Sequence, residues 1–346
     1  MSLFGARYKT PEDTSVTSGG HDYGAKPDRR GPIGGGEGYT SYPKATATVE
    51  TLDELLAALR DSAPGDVVHI PGTTVIECTE RVYVEKMVLE VPEGVILSGD
   101  RGKDGSHGAL LRSDTFETSP LIRAMGPGVR VTGLRISGPN PRRCLEHHHR
   151  SFAEGRGHPY YYRFPTSAGV QTEHANLTVD NCELAGWSQA SVKLSGGAGH
   201  HVHHNFMHHN QYQGLGYGVT HAVSHSLIER NLFNHNRHSI AGSGQAGSGY
   251  VARHNVELGT SLSHCFDMHG GRDRKDGTNT AGSDMKFLNN TFWCRKPSIK
   301  IRGLPEEPVS VRNNWFVHTS EQKAILHEGN VRIGKNAWGR RDPRVR

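Results

Sequence analysis

From about residue 67 onward, apolar residues fall in short runs separated by Gly and Pro. Val67-Val68-His69-Ile70, Val82-Tyr83-Val84, Met87-Val88-Leu89-Glu90-Val91, Val95-Ile96-Leu97, Leu121-Ile122-Arg123 and Val129-Arg130-Val131 each predict a short strand. One earlier stretch differs. Leu52, Leu55, Leu56 and Leu59 share a helical stripe, and Thr51-Leu52-Asp53-Glu54 has the form of a capping box, which predicts a helix over about 51–61 that ends at Ala63-Pro64-Gly65-Asp66. Residues 1–44 show no periodicity and read as an extended arm lying on the domain or as a flexible leader. The remainder, 45–346, reads as a single domain.

Beyond residue 170 the strands repeat. Asn181, Asn205, Asn231, Asn255, Asn290, Asn314 and Asn336 recur at intervals of 24, 26, 24, 35, 24 and 22. Three residues before each sits Thr178, Val202, Ile228, Ala252, Phe287, Val311 or Ile333, apolar at every rung except the first. A second strand lies upstream in each unit, as in Val192-Lys193-Leu194, Phe266-Asp267-Met268 and Ile299-Lys300-Ile301. A unit of this size cannot bury its apolar face alone, whereas stacked copies can. The Leu-x-x-Leu-x-Leu framework of a leucine-rich repeat is missing, and a propeller blade needs about 40 residues. The remaining solution is a parallel solenoid with coils about 4.8 Å apart and the repeated Asn forming an amide ladder.

On these residues the chain resembles the right-handed parallel β-helix superfamily that includes pectate-lyase-like and carbohydrate-binding β-helix proteins, over about residues 45–340. The expected fold is therefore all-β: a right-handed parallel β-helix with a short N-terminal capping helix and two long insertions.

Composition agrees with this reading, since 43 Gly and 17 Pro favour turns over helices. No apolar run is long enough to span a membrane, and Met1 to Lys9 carry no signal-peptide core. The chain is cytoplasmic as written, or exported if a leader was removed. Cys78, Cys144, Cys182, Cys265 and Cys294 are odd in number without CxxC spacing, which suits small core residues better than a zinc ribbon or disulfide scaffold. The net charge of +5 suits an anionic partner. An anionic polysaccharide or oligosaccharide is expected, with no nucleic acid.

Histidine points to where chemistry lies, for 18 of the 23 fall between His147 and His269. Two long interruptions of the repeat fall in or beside that span. Pro139 to Ser167 carries Arg143, His148, Arg150, Tyr160, Tyr161, Tyr162 and Arg163, a set suited to stacking on sugar rings and pairing with carboxylates. Gly270 to Gly282, with Arg272, supplies the surplus of the 35-residue interval.

With Val170, Val192, Ile240, Phe266, Ile299 and Ile325 facing inward, the outward column reads Gln171, Lys193, Val219, Ala241, Asp267, Lys300 and Leu326. Two residues on, a parallel column reads Glu173, Ser195, His221, Ser243, His269, Arg302 and Glu328. Asp267 and His269 are thus expected beside Lys300 and Arg302, with His221 about 10 Å from His269. A further column holds His203, Glu229, Arg253 and Arg312; His201-x-His203 has chelating spacing but no third ligand nearby in sequence.

Two enzymatic readings compete. Elimination from a uronic acid needs a cation for the carboxylate and a base for the C5 proton. Arg302 and Lys300 suit the first role and His269, His221 or Lys193 the second, with Asp267 orienting a neighbour. Lyases of the resembled superfamily commonly use Lys/Arg pairs, often with calcium, but this chain shows no cluster of three acidic residues. No cofactor is required by the sequence, and a divalent cation finds only weak support in it. Glycoside hydrolysis needs two carboxylates about 5 to 9.5 Å apart; Asp267 and Glu328, two rungs apart, stand near the upper limit. The expected function is a polysaccharide lyase, with a glycoside hydrolase, a uronate epimerase or a non-catalytic carbohydrate-binding or assembly β-helix as alternatives.

Overall fold

A strand of a few residues presents unpaired N–H and C=O groups along both edges, and in a solenoid the coils above and below satisfy them. The computed structural model describes residues 12–341 and 343–346, in which the coils stack into three sheets. The first has eleven strands, from Ala47–Thr48 to Val331–Ile333. The second also has eleven, from Val75–Glu77 through Ala337–Trp338 to a final antiparallel strand, Arg344–Val345. The third has nine, from Leu89–Val91 to Ile325–His327. The chain is a right-handed parallel β-helix. The first eleven residues, where the leaderless start was read, lie outside the described residues.

The capping helix spans Leu52–Asp61, with both bonds of the Thr51–Glu54 capping box formed and Leu55 and Leu59 buried over the first coils. One expected strand is wrong. Val82-Tyr83-Val84 lies in a helix, Thr79–Glu85, tied by an Arg81–Glu85 ion pair one turn apart. Only Val82 is buried there, whereas Tyr83 and Val84 are exposed. With one core-facing side chain in the segment, a helical turn is sufficient and no strand face is needed.

The amide ladder exists, shifted by one residue at its first rung. Asn205, Asn231, Asn255, Asn290, Asn314 and Asn336 stack, each backbone N–H and side-chain Nδ2 donating to the next Oδ1 at 2.8 to 3.1 Å. Each Nδ2 also reaches a carbonyl of the preceding coil, such as Val202 for Asn231 and Ile228 for Asn255. Opposite Asn205 stands Cys182, not Asn181, because Glu183 pairs with Phe206. Asn181 occupies instead the left-handed position shared with His204, Arg230, His254, Asn289 and Asn313, with φ between 52° and 58°. The same shift puts Val179, not Thr178, beside Val202, so the apolar column has no exception at its first rung. A second, shorter ladder joins Asn210 to Asn236 at 2.8 Å.

Inside the solenoid, Phe292, Phe316 and Trp338 stack with centroids 5.1 and 4.7 Å apart. Glu257 interrupts this column, between Phe233 and Phe292. It is wholly buried, and neither carboxyl oxygen makes a hydrogen bond. Burial pushes its pKa well up, so it is held neutral.

Residues 12–44 lie along the outside. Tyr23, Ala25 and Ile33 pack on Phe206, Leu232 and Trp315 of the second sheet. Arg30 pairs with Glu229 at 2.6 Å and the Tyr39 hydroxyl donates to Asp180 at 2.7 Å. Burial alone would raise the pKa of Glu229, but His201, Arg30 and Arg253 hold it far below the usual carboxylate range.

Two stability outcomes follow. Asn255→Ala leaves a buried N–H and the amides of its neighbours unpaired, and is expected to cost at least about 2 kcal/mol in denaturant unfolding. Asn313→Gly, at the left-handed position that precedes Asn314, should change stability by less than about 1 kcal/mol; equal losses would mean the ladder carries no special weight. Glu257→Leu should stabilise the fold by about 1–3 kcal/mol at pH 8 and by less at pH 4. The sign follows from linkage: a raised folded pKa gives stability that is full below the unfolded glutamate pKa and is lost as pH rises. A Glu257→Leu variant no more stable than the parent at pH 8 would contradict this.

Candidate active site

The site is built on the outer face of the third sheet. Phe266 pairs with Ile240 and Ile299 and faces the core with Met268, which turns Asp267 outward between Ala241 and Lys300. Asp267 faces outward yet has no exposed surface. Arg302, on the next coil, grips it with both ends of the guanidinium fork, Nε to Oδ1 at 3.2 Å and Nη2 to Oδ2 at 2.8 Å. His269 Nε2 lies 2.9 Å from Oδ2 and His264 Nε2 lies 2.8 Å from Oδ1. Burial alone would raise the pKa of Asp267, but these cationic and imidazole neighbours hold it well below the carboxylate range, so it is ionised. Burial lowers the pKa of His264 despite Asp267, leaving that ring neutral.

The second insertion closes over this cluster. Its short helix, Gly271–Arg274, brings Asp273 Oδ1 to Arg302 Nη1 at 3.0 Å. Two glycines permit the approach. A Cβ on Gly270 would lie 1.7 Å from the Arg302 carbonyl oxygen, and one on Gly244, at φ +75°, would lie 1.7 Å from that of His269. Arg272 is 76% exposed and reaches Glu328 at 3.4 Å.

The first insertion forms two helices, Leu145–Phe152 and Gly157–Tyr161, where the sequence suggested a loop. Tyr161 is buried against Tyr212 and Tyr217, and its hydroxyl donates to the Gln213 carbonyl at 2.9 Å, so it anchors the insertion and cannot stack on a sugar. Arg143 binds Gln213 at 2.9 Å, Arg150 pairs with Glu146 at 2.6 Å, and His148 stands edge-on to Tyr161. Tyr162 and Arg163 are exposed and Tyr160 is half-buried. Tyr217 links this insertion to the cluster: its ring stacks on His238 with centroids 5.7 Å apart, and His238 stacks on His264 at 3.9 Å.

The structure thus brings together Asp267, His269, Lys300 and Arg302 and separates the other expected residues from them. Lys193 shares the outward column but lies three coils away, about 14 Å at the strand spacing. Its pKa is lowered by burial. His221 is a correction. Val219, not Gly218, pairs with Val192 and Ile240, so Thr220 takes the outward place and His221 turns into the solenoid. There it is 2% exposed, stacked on Tyr250, with Nε2 2.6 Å from the Ser226 hydroxyl, and burial drives its pKa to about 3. A one-residue change of register reverses the face of every side chain in a strand.

Tyr217, His238 and His264 were missed because they stand three residues before Thr220, Ala241 and Asp267, an offset that strict alternation puts on the other face. Alternation breaks there: Ser239 turns inward to accept from Asn236 Nδ2, and the next residue, Ile240, is core. The signal available was one aromatic or His at the same offset in three successive units. The His201 and His203 rings lie tilted with centroids 4.1 Å apart, but His201 Nε2 is taken by Glu229 and His203 Nδ1 by His204. Among the described residues, the group that gathers three metal-ligand atoms is His238, His264 and Asp267, all within 4.8 Å.

No family model and no curated protein sequence matches the chain. Solved structures do. The alginate lyase of Paenibacillus sp. str. FPU-7 aligns over 83% of this chain and 99% of its own, at 13% identity and a TM-score of 0.50. The family 28 exopolygalacturonase of Yersinia enterocolitica aligns over 81% of this chain and 61% of its own, at 12% identity and a TM-score of 0.48. The polygalacturonase of Erwinia carotovora ssp. carotovora aligns over 86% and 99%, at 10% identity and a TM-score of 0.42. At such identities what is shared is the β-helix fold.

Removing Arg302 would strand an ionised, buried Asp267. Arg302→Ala is expected to lower unfolding stability by about 3–5 kcal/mol, and adding Asp267→Asn should recover part of that loss. Strictly additive losses in the double variant would show that the two groups are not coupled.

Proposed function

We propose that this protein is a carbohydrate-active enzyme that cleaves a uronate-containing polysaccharide by β-elimination on the outer face of the third sheet. The observation that carries this reading is the division of labour in the cluster. Its central carboxylate, Asp267, has no exposed surface, whereas the groups that remain accessible beside it are the His269 imidazole and the Lys300 ammonium. Hydrolysis asks for two carboxylates that reach the substrate. Asp267 cannot reach one, and Glu328 is engaged by Arg272.

In this mechanism Lys300 sits against the uronate carboxylate and stabilises the negative charge that builds up as the C5 proton leaves. His269, whose Nε2 leans on Asp267, takes that proton on its other ring nitrogen, Nδ1. The C5–H electron pair becomes the C4–C5 double bond as the bond from C4 to the leaving oxygen breaks, and that oxygen takes a proton from solvent. Arg302, committed to Asp267 and Asp273, acts as a positioning residue that fixes the carboxylate on which His269 leans. Tyr160, Tyr162, Arg163 and Arg272 are the accessible groups of the two insertions and would line the approach of an anionic chain. A fold shared with an alginate lyase is consistent with this chemistry and does not choose the glycan.

The test is a panel of alginate, pectate, glucuronan and glycosaminoglycans followed by ultraviolet absorbance, since elimination leaves a conjugated unsaturated uronate. A rise on at least one polymer is expected, with kcat/KM lowered about 10²- to 10⁴-fold in His269→Ala and in Lys300→Ala. New reducing ends without absorbance would replace elimination by hydrolysis. Binding without either product would make the face a recognition surface.

A further inference from the structure

The row Tyr217, His238, His264 holds a feature that proton abstraction does not use. His238 has no exposed surface, and its Nδ1 lies 2.6 Å from the carbonyl oxygen of His264. A carbonyl can only accept, so Nδ1 carries the hydrogen and Nε2 keeps its lone pair. That Nε2 is buried and makes no hydrogen bond to any described residue. His264 turns Nε2 towards Asp267, and its Nδ1 lies 3.3 Å from the Ser263 hydroxyl. His264 Nε2 and Asp267 Oδ1 are only 2.8 Å apart, yet they are not aligned as donor and acceptor. A buried lone pair on His238 Nε2, beside a second imidazole and a carboxylate, is costly unless an electron-poor group meets it.

We propose that His238 Nε2, His264 Nε2 and Asp267 Oδ1 are the protein ligands of a divalent transition-metal ion of the zinc type. Ligand atoms of a tetrahedral zinc ion at about 2.0–2.1 Å are separated by about 3.3 Å. The His264–Asp267 separation of 2.8 Å and the 4.8 Å limit for the whole trio bracket that value. Two imidazoles and one carboxylate favour zinc and its neighbours over calcium or magnesium, which take oxygen shells. Three protein ligands leave a fourth position for a water.

The surroundings supply the outer support that such ligands have. The His264 carbonyl fixes the tautomer of His238, and the Arg302 fork fixes the plane of the Asp267 carboxylate. Asp273, on the far side of Arg302, offsets the guanidinium charge that would otherwise stand uncompensated near the ion. The site draws on two successive coils, so it exists only in the stacked solenoid. It does not depend on which glycan is cleaved, or on whether one is.

The experiment uses the full chain stripped with a chelator and titrated with Zn²⁺, then with Co²⁺ as a spectroscopic substitute. One tightly held equivalent of zinc is expected, with visible Co²⁺ bands of tetrahedral intensity and no displacement by excess Ca²⁺. His238→Phe keeps an aromatic ring between Tyr217 and His264 but removes the ligand atom; it should weaken binding at least about 100-fold and abolish the Co²⁺ bands. His201→Ala, at the other histidine pair, should leave both unchanged. No tight equivalent on the parent chain, or equal affinity in His238→Phe, overturns the proposal. X-ray absorption of the zinc-loaded parent gives an answer even if His238→Phe does not fold: two imidazole nitrogens support the site, and an all-oxygen or sulfur shell overturns it.

Discussion

Everything that this protein presents on its surface depends on the vertical register of its coils, and the buried amide ladder is the interaction that pins that register. Each Asn from Asn205 to Asn314 both accepts from the coil before it and donates to the coil after it, and Asn336 accepts as the last rung, within a turn closed to solvent. A slip of one residue would leave these amides unpaired and would turn each core strand inside out. The left-handed residue before each Asn from Asn205 to Asn314 completes the turn. Its side chain is not constrained by the ladder, so His, Arg and Asn all occur there.

Register in turn decides which charged residues meet. Asp267 lies next to Lys300 only because Phe266 stacks on Ile299, and Arg302 reaches Asp267 from two residues further along the same strand. The cluster is therefore an extension of the core pattern to the outside of the wall. The two insertions then lower the local dielectric around it. The first packs its Tyr161 against Tyr217, and the second carries Asp273 to Arg302. Burial raises the energetic stakes of each contact, which is why an outward-facing aspartate can be both fully covered and ionised.

A similar logic governs the opposite flank, where Glu229 draws Arg30 of the N-terminal segment, Arg253 and His201 to one carboxylate. That concentration of charge fastens residues 12–44 to the solenoid. It also takes up one nitrogen of the His201-x-His203 pair, and His204 takes up another. Glu257 is the counterexample. It sits in an aromatic column where no cation meets it, and it is held neutral instead.

The solenoid, the capping helix, the two insertions and the neighbourhood of Asp267 and His269 with Lys300 and Arg302 were legible in the residues alone. These follow from short-range rules: a period of two within a strand, a repeat near 24 residues between coils, and a capping box. The phase of individual rungs is set by contacts between coils. Asn181 and Gly218-Val219 looked in phase by spacing alone, but coils differ in length by a residue or two, and only hydrogen bonding to the neighbouring coil sets where each strand starts. For the same reason His221 is a core residue, while His238 and His264, hidden by the inward turn of two successive residues, stand at the centre of the site. Alternation is a property of one strand, whereas a site is a property of several strands held in register.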